Sequence, residues 1–75
     1  MKELIEYIAK SIVNEPDEVV VTEENDEEGM KFTLKVADDD KGRVIGKQGR
    51  IAAAIRTLIR VKAAKAGTRA SLEIL

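Results

Sequence analysis

The sequence predicts an α+β fold in which a mixed three-stranded sheet carries three helices on one face. Two segments repeat their apolar residues with helical spacing, and others alternate apolar with polar residues. The predicted elements follow the order α-β-β-α-α-β. At 75 residues the chain has room for one small domain, so we expect a single domain over residues 1–75.

The first helix is predicted from Lys2 to Asn14. Its apolar residues recur at i, i+1, i+4, i+5, i+8 and i+9, which gives one broad stripe on the helix. Pro16 ends the segment, because the residue before a proline is driven out of helical geometry. The stripe consists of Leu4, Ile5, Ile8, Ala9, Ile12 and Val13.

Two strands are predicted after this helix. Val19 to Thr22 is entirely β-branched. Met30 to Ala37 alternates between apolar and polar residues, so Phe32 should point to the core. The acidic segment from Asn25 to Gly29 predicts a turn of about five or six residues, which would join the strands as an antiparallel hairpin.

Two further helices are predicted. A short one runs from Asp39 to Ile45, and the acidic run Asp38 to Asp40 suits its N-terminus. A longer one runs from Arg50 to Ala66, with Gly67 as its C-cap. The core-facing residues of the longer helix are expected to be Ile51, Ala52, Ile55, Leu58, Ile59, Ala63 and Ala66.

The closing strand is predicted where Ala70, Leu72 and Ile74 alternate with polar residues. The connection from the second strand passes through two helices. If these strands are neighbours they must therefore be parallel, with a right-handed crossover.

The composition excludes several classes of function. The chain has no cysteine and no histidine, which removes disulfides, thiolate or imidazole zinc sites and histidine-activated nucleophiles. No paired acid–base groups are apparent, so we expect no enzymatic activity, cofactor, metal or small-molecule substrate. No apolar run approaches the roughly 20 residues of a membrane span, and we expect a cytoplasmic protein.

The charges are divided unevenly along the chain. Residues 1–40 contain 4 Lys or Arg and 13 Asp or Glu, whereas residues 41–75 contain 9 and 1. One interpretation is that the basic half binds nucleic acid or another polyanion. The other is that the two halves attract each other once the chain has folded.

The segment most informative about function is Gly42–Arg50, with the sequence GRVIGKQGR. A Walker A loop is excluded, because Gly42 and Gly46 are one residue too close and Gln48 replaces the required hydroxyl. A dinucleotide-binding fingerprint is also absent. Two interpretations remain: a G-x-x-G loop, which in KH domains clamps about four nucleotides, or a plain corner between two helices.

The chain resembles the type II, or prokaryotic, KH family. Val44–Gly49 resembles the V-I-G-x-x-G signature of that family, and the predicted element order resembles the type II topology over essentially the whole chain. With the segment from Arg43 to Ala52 intact, the chain is similar to the KhpA family of small bacterial KH proteins.

The residue types in the loop suit a sugar-phosphate backbone. Two glycines allow close approach, and Gly49 opens a helix whose N-terminus favours a phosphate. Lys47 and Arg50 can pair with phosphates, Gln48 can donate or accept hydrogen bonds, and apolar side chains before the loop would support bases. The predicted RNA-binding residues are Arg43, Val44, Ile45, Gly46, Lys47, Gln48, Gly49 and Arg50.

The resemblance implies a non-enzymatic protein that binds short single-stranded RNA, as a bacterial post-transcriptional regulator or RNA chaperone linked to cell shape. It also implies self-association and a larger KH-containing partner of the KhpB or Jag type. Small residues on the longer helix could form a dimer contact, or could simply be good helix formers on a solvated face. These residues are Ala53, Ala54, Thr57, Val61 and Ala64. The alternative function is a protein–protein adaptor that keeps the KH fold without using it for RNA.

Overall fold

Three helices cover one face of a three-stranded sheet in the computed structural model, which describes all residues from Met1 to Leu75. Three short 3₁₀ segments lie between the main elements. The elements are α1 (Lys2–Ile12), β1 (Val20–Asp26), β2 (Gly29–Lys35), α2 (Lys41–Ile45), α3 (Arg50–Lys65) and β3 (Ala70–Ile74). The predicted α+β class and the order α-β-β-α-α-β are therefore confirmed.

The central strand of the sheet is β2. It pairs with β1 in antiparallel fashion and with β3 in parallel fashion, as the sequence predicted. Phe32 and Leu34 of β2 are buried under the helices, whereas the preceding Lys31 and the following Lys35 are exposed. The alternation therefore separates a core face from a solvent face.

The core lies between this sheet face and the three helices. Ile5 of α1, Val44 of α2 and Ile59 of α3 are fully buried, and they pack in one cluster with Phe32 and Leu34. Burial of an aliphatic or aromatic side chain of this size stabilises a fold by about 1.5–3 kcal/mol. Each helix is therefore anchored to the sheet by at least one such side chain.

The hairpin between β1 and β2 is tighter than predicted. The register pairs Asp26 with Gly29, which leaves Glu27 and Glu28 as a two-residue turn. The Asp26 carboxylate closes it by accepting the N–H groups of Glu28 and Gly29 at 2.8 and 3.1 Å. Hydrogen bonds from Lys31 and from the Glu28 amide lower the pKa of Asp26. The expected turn of five or six residues was wrong because the strands continue pairing through the acidic segment.

The first helix ends two residues earlier than predicted. Val13 adopts an extended backbone (φ −96°, ψ 159°) although its N–H still donates to the Ala9 carbonyl. The N–H groups of Asn14 and Glu15 point out of the helix and bond to Asp40 instead. The acidic run also behaves differently from the prediction, because no side chain of the run caps α2.

The core-facing side of α3 is narrower than predicted. Only Ala52, Ile55, Ile59 and Ala63 are buried. Leu58 is 51% exposed and Ile51 is 37% exposed, and Ala66 lies beyond the helix and is exposed. The adjacent helix α2 has only five residues, so no element covers the Leu58 flank of α3.

The predicted C-cap at Gly67 is confirmed. The N–H of Gly67 donates to the Ala64 carbonyl at 3.1 Å, and the N–H of Thr68 donates to the Ala63 carbonyl at 2.9 Å. This pair of bonds is a Schellman motif. It ends α3 and directs the chain into β3.

None of the helices has the length and apolar composition that crossing a membrane requires.

Candidate nucleic-acid interface

The segment Gly46–Gly49 reverses the chain between α2 and α3. The N–H of Gly46 donates to the Gly42 carbonyl at the end of α2, and the N–H of Gly49 donates to the Gly46 carbonyl. Gly46, Gln48 and Gly49 have positive φ angles of 78°, 58° and 74°. A residue with a Cβ pays a steric cost for this conformation, so the reversal depends strongly on the two glycines.

Gly46 is required by packing as well as by its backbone angle. A Cβ at this position would lie 2.6 Å from Ile51 Cγ1 and 2.9 Å from the Ile51 backbone nitrogen. Ile51, which the sequence assigned to the core face of α3, therefore covers the loop instead. The sequence argument explained Gly46 by close approach of a ligand, and the structure adds this internal reason.

Gly49 faces open space. A Cβ built there would meet no atom within 4 Å, so a ligand can reach the backbone at the start of α3. Two N–H groups at this helix N-terminus, which the sequence predicted to favour a phosphate, are engaged within the loop. The Gly49 N–H bonds to Gly46, and the Arg50 N–H bonds to the carbonyl of Lys47.

The exposed side chains of the loop carry positive charge without acidic partners. Lys47, Gln48 and Arg50 are exposed, and no carboxylate forms an ion pair with either cation. The Arg50 guanidinium donates to the Gln48 side-chain oxygen at 3.3 Å. Ile45, 40% exposed, adds an apolar surface beside the loop.

Two of the predicted binding residues are placed differently. Val44 is fully buried in the core, so the prediction that it supports a base was wrong. In a five-residue helix only one of the two adjacent apolar residues can face the sheet, and that residue is Val44. Arg43 points to Asp40, with 3.5 Å between Nε and Oδ1, so its charge is partly engaged inside the protein.

The acidic and basic halves do not neutralise each other. The five ion pairs of the structure include only two that join the halves, Lys41–Asp38 and Arg43–Asp40, and each spans three residues along the chain. No cation of α3 takes part. Attraction between the two halves therefore appears as direct ion pairs only where they join, and the cations of α3 carry no acidic partner.

Comparison with known proteins identifies the family. A family model described as KhpA/KhpB, KH domain, matches residues 2–74. The chain belongs to this KH-domain family. The resemblance to the KhpA family is thereby confirmed over nearly the whole chain.

Relatives in several bacteria share this KH domain. The chain is 55% identical over 75 residues to an RNA-binding protein KhpA of Clostridium acetobutylicum and 51% identical to one of Clostridium perfringens, with 100% of both chains covered in each case. It is 47% identical to one of Listeria monocytogenes, with 100% of this chain and 99% of the relative covered. No solved structure was found to match.

Further arginines of the KH domain lie on the side of α3 that faces β3 and in the connection between these two elements. Arg56 donates from Nε to the Leu72 carbonyl at 3.2 Å. Arg60 and Arg69 line the cavity of the structure, about 310 Å³ in volume, together with Ala64, Thr68 and Ala70. The sequence identified these arginines only by their charge. No group of three acidic residues is arranged to hold a metal ion.

We expect the two loop glycines to differ in their tolerance of alanine. Gly49→Ala introduces only backbone strain, so it should lower the free energy of unfolding by about 1–2 kcal/mol. Gly46→Ala adds a collision with Ile51 and should cost about 3 kcal/mol in total. Urea unfolding of both variants measures the difference. Equal losses would contradict the packing of Ile51 on Gly46.

Proposed function

We propose that this protein is a non-enzymatic RNA-binding protein consisting of one KH domain, which holds short single-stranded RNA at Gly46–Gly49. The observation that carries the proposal is the exposed loop itself, with two cations that lack acidic partners beside an open glycine. Relatives at 51% and 55% identity are named RNA-binding protein KhpA. No histidine or cysteine is available for catalysis.

The loop would contact mainly the sugar-phosphate backbone of the RNA. Lys47 meets a phosphate as a point charge, and Arg50 can bind one through two parallel hydrogen bonds. The absence of a side chain at Gly49 leaves room for the sugar-phosphate chain to come close. Gln48 can hydrogen-bond sugar or phosphate oxygens once Arg50 turns toward the ligand.

Bases would rest on aliphatic rather than aromatic surface. The chain has only two aromatic residues, and one of them, Phe32, is buried in the core. Stacking on several aromatic rings, as in other single-strand-binding modules, is therefore not available. Exposed Ile45, beside the loop, is the apolar side chain that we assign to base contact in place of Val44.

The biological role that we propose follows the KhpA resemblance. The protein would act in the cytoplasm, where it meets RNA, as a post-transcriptional regulator or RNA chaperone, with effects on cell shape. Its partners would include a second copy of the chain and a larger KH protein of the KhpB or Jag type. The family description names both KhpA and KhpB, which supports a partner of that class.

The outward face of α3 supports association with another protein. Its small residues Ala53, Ala54, Thr57, Val61 and Ala64 are all exposed, so a second helix could approach closely. Leu58 and Val61 are each 51% exposed and lie one turn apart, which adds apolar area to this face. The same observation favours the second candidate function, an adaptor that uses this face and not RNA.

We expect the double substitution Lys47→Asp and Gln48→Asp to abolish RNA binding, because each acid would repel a phosphate. The fold should remain nearly unchanged, since both side chains are exposed. Fluorescence anisotropy with a short single-stranded RNA measures the affinity. Lys2→Glu with Ser11→Glu on α1 changes the net charge equally and serves as control. RNA binding at the parental level by the loop variant would refute the assignment of the loop.

We expect the logarithm of the RNA affinity to fall with the logarithm of salt concentration with a slope of about −2, from two or three phosphate contacts at about −0.7 each. A much steeper slope would mean that RNA also follows the cations of α3. Arg60→Gln with Arg69→Gln, compared with Lys62→Gln and Lys65→Gln on the opposite flank, then shows which side of α3 it follows.

We expect a weak, concentration-dependent dimer through the outward face of α3, with the loop still open to RNA. Ala53→Glu with Ala64→Glu should abolish the dimer in sedimentation experiments and retain RNA binding, apart from the weakening that added negative charge on α3 causes by itself. Thr22→Glu with Ser71→Glu, on exposed sheet positions, adds the same charge elsewhere and should keep the dimer. If the unsubstituted protein sediments with the mass of a monomer at every concentration, the outward face of α3 is not a dimer contact.

A further inference from the structure

Asp40 is the one polar or charged residue that the fold buries, with 1% of its surface exposed. Its two carboxylate oxygens accept the N–H groups of Asn14 and Glu15 at 3.1 and 3.0 Å. Arg43 Nε lies 3.5 Å from Oδ1. A buried carboxylate is costly unless it is paired and hydrogen-bonded, and here both oxygens are used.

These contacts join two distant parts of the chain. Asn14 and Glu15 follow α1, whereas Asp40 directly precedes α2, so the hydrogen bonds span 26 and 25 residues. Because α1 ends at Ile12, the two N–H groups have left the helix and are available to Asp40. The carboxylate therefore fastens the end of α1 to the start of α2.

The position of α2 determines where the loop lies. This helix has five residues, about 7.5 Å at 1.5 Å per residue, and Gly46 follows it directly. A shift at Asp40 is therefore passed to the loop through a single short, rigid helix. Val44, buried in the core, holds the C-terminal half of α2, whereas Asp40 directly precedes its N-terminal end.

Arg43 belongs to the same arrangement. Besides its contact with Asp40, its Nη2 donates at 3.1 Å to the Asn14 side-chain oxygen when that amide is oriented to satisfy its hydrogen bonds. The guanidinium thus bridges α2 to the end of α1.

We propose that Asp40 is a positioning residue for RNA binding, which fixes α2 and thereby sets the orientation of the loop Gly46–Gly49. The inference rests on the proposed function of that loop. Asp40 makes no contact with RNA in this proposal. Arg43, which the sequence assigned to RNA binding, instead supports the loop.

The substitution Asp40→Asn tests this proposal, because a positioning role and a purely electrostatic effect change the RNA affinity in opposite directions. Asparagine has nearly the same shape as aspartate, but its side-chain NH₂ group cannot accept a hydrogen bond. One of the two backbone N–H groups of Asn14 and Glu15 therefore loses its acceptor. Loss of a negative charge near the loop should by itself raise the affinity for RNA. Misplacement of the loop should instead lower it, by about fivefold or more for a lost buried hydrogen bond. The salt dependence should stay unchanged, because no phosphate contact is removed.

Val21→Ala is the matched control. Val21 is buried in β1, so its truncation destabilises the fold from a strand that carries neither Asp40 nor the loop. Both variants are compared at a temperature where circular dichroism shows them to be folded, with the same short RNA in anisotropy titrations. Asp40→Glu keeps the charge but cannot keep both hydrogen bonds, and it replaces Asp40→Asn if the latter fails to fold.

The expected result is a weakened RNA affinity for the Asp40 variant with the parental salt slope, and parental affinity for Val21→Ala. Parental or higher affinity for Asp40→Asn, or an equal loss for Val21→Ala, would overturn the positioning role while RNA binding at the loop stands. A parent protein that does not bind RNA at all would instead overturn the proposed function, and the inference with it.

Discussion

The reversal of the chain between α2 and α3 within four residues is the constraint on which the rest of the structure depends. Three of those residues need positive φ angles, and Ile51 leaves no room for a side chain at Gly46. The turn brings Val44 and Ile59 onto the same sheet face, where both are buried. The same geometry directs Lys47 outward, so core formation and exposure of a cation have one origin.

The charged side chains of this protein differ in burial as well as in their distribution along the sequence. The one buried carboxylate, Asp40, is satisfied by backbone N–H groups and by Arg43. The cations of the loop and of α3 have no acidic partners. The acidic residues of the hairpin turn, Glu27 and Glu28, form no ion pair with these cations, which remain available to a polyanion.

Local periodicity predicted the fold, and tertiary contacts account for what it missed. The alternation around Phe32 and the cap at Gly67 are local signals, and both predictions were confirmed. Composition placed the acidic turn correctly but could not show that pairing continues to Asp26. Nor could it show which of two adjacent apolar residues, Val44 or Ile45, faces the sheet. The role of Asp40 depends on N–H groups 25 and 26 residues away, and no local pattern reveals such a contact.

Titration of the ¹⁵N-labelled protein with a short single-stranded RNA, followed by NMR, tests the central claim most directly. The account predicts that the largest amide shifts fall on Lys47 to Arg50 and on the Gln48 side-chain amide. The amides of β1, on the far edge of the sheet from β3, should hardly change. Shifts concentrated on the exposed sheet face, with the loop signals unmoved, would contradict RNA binding at this loop.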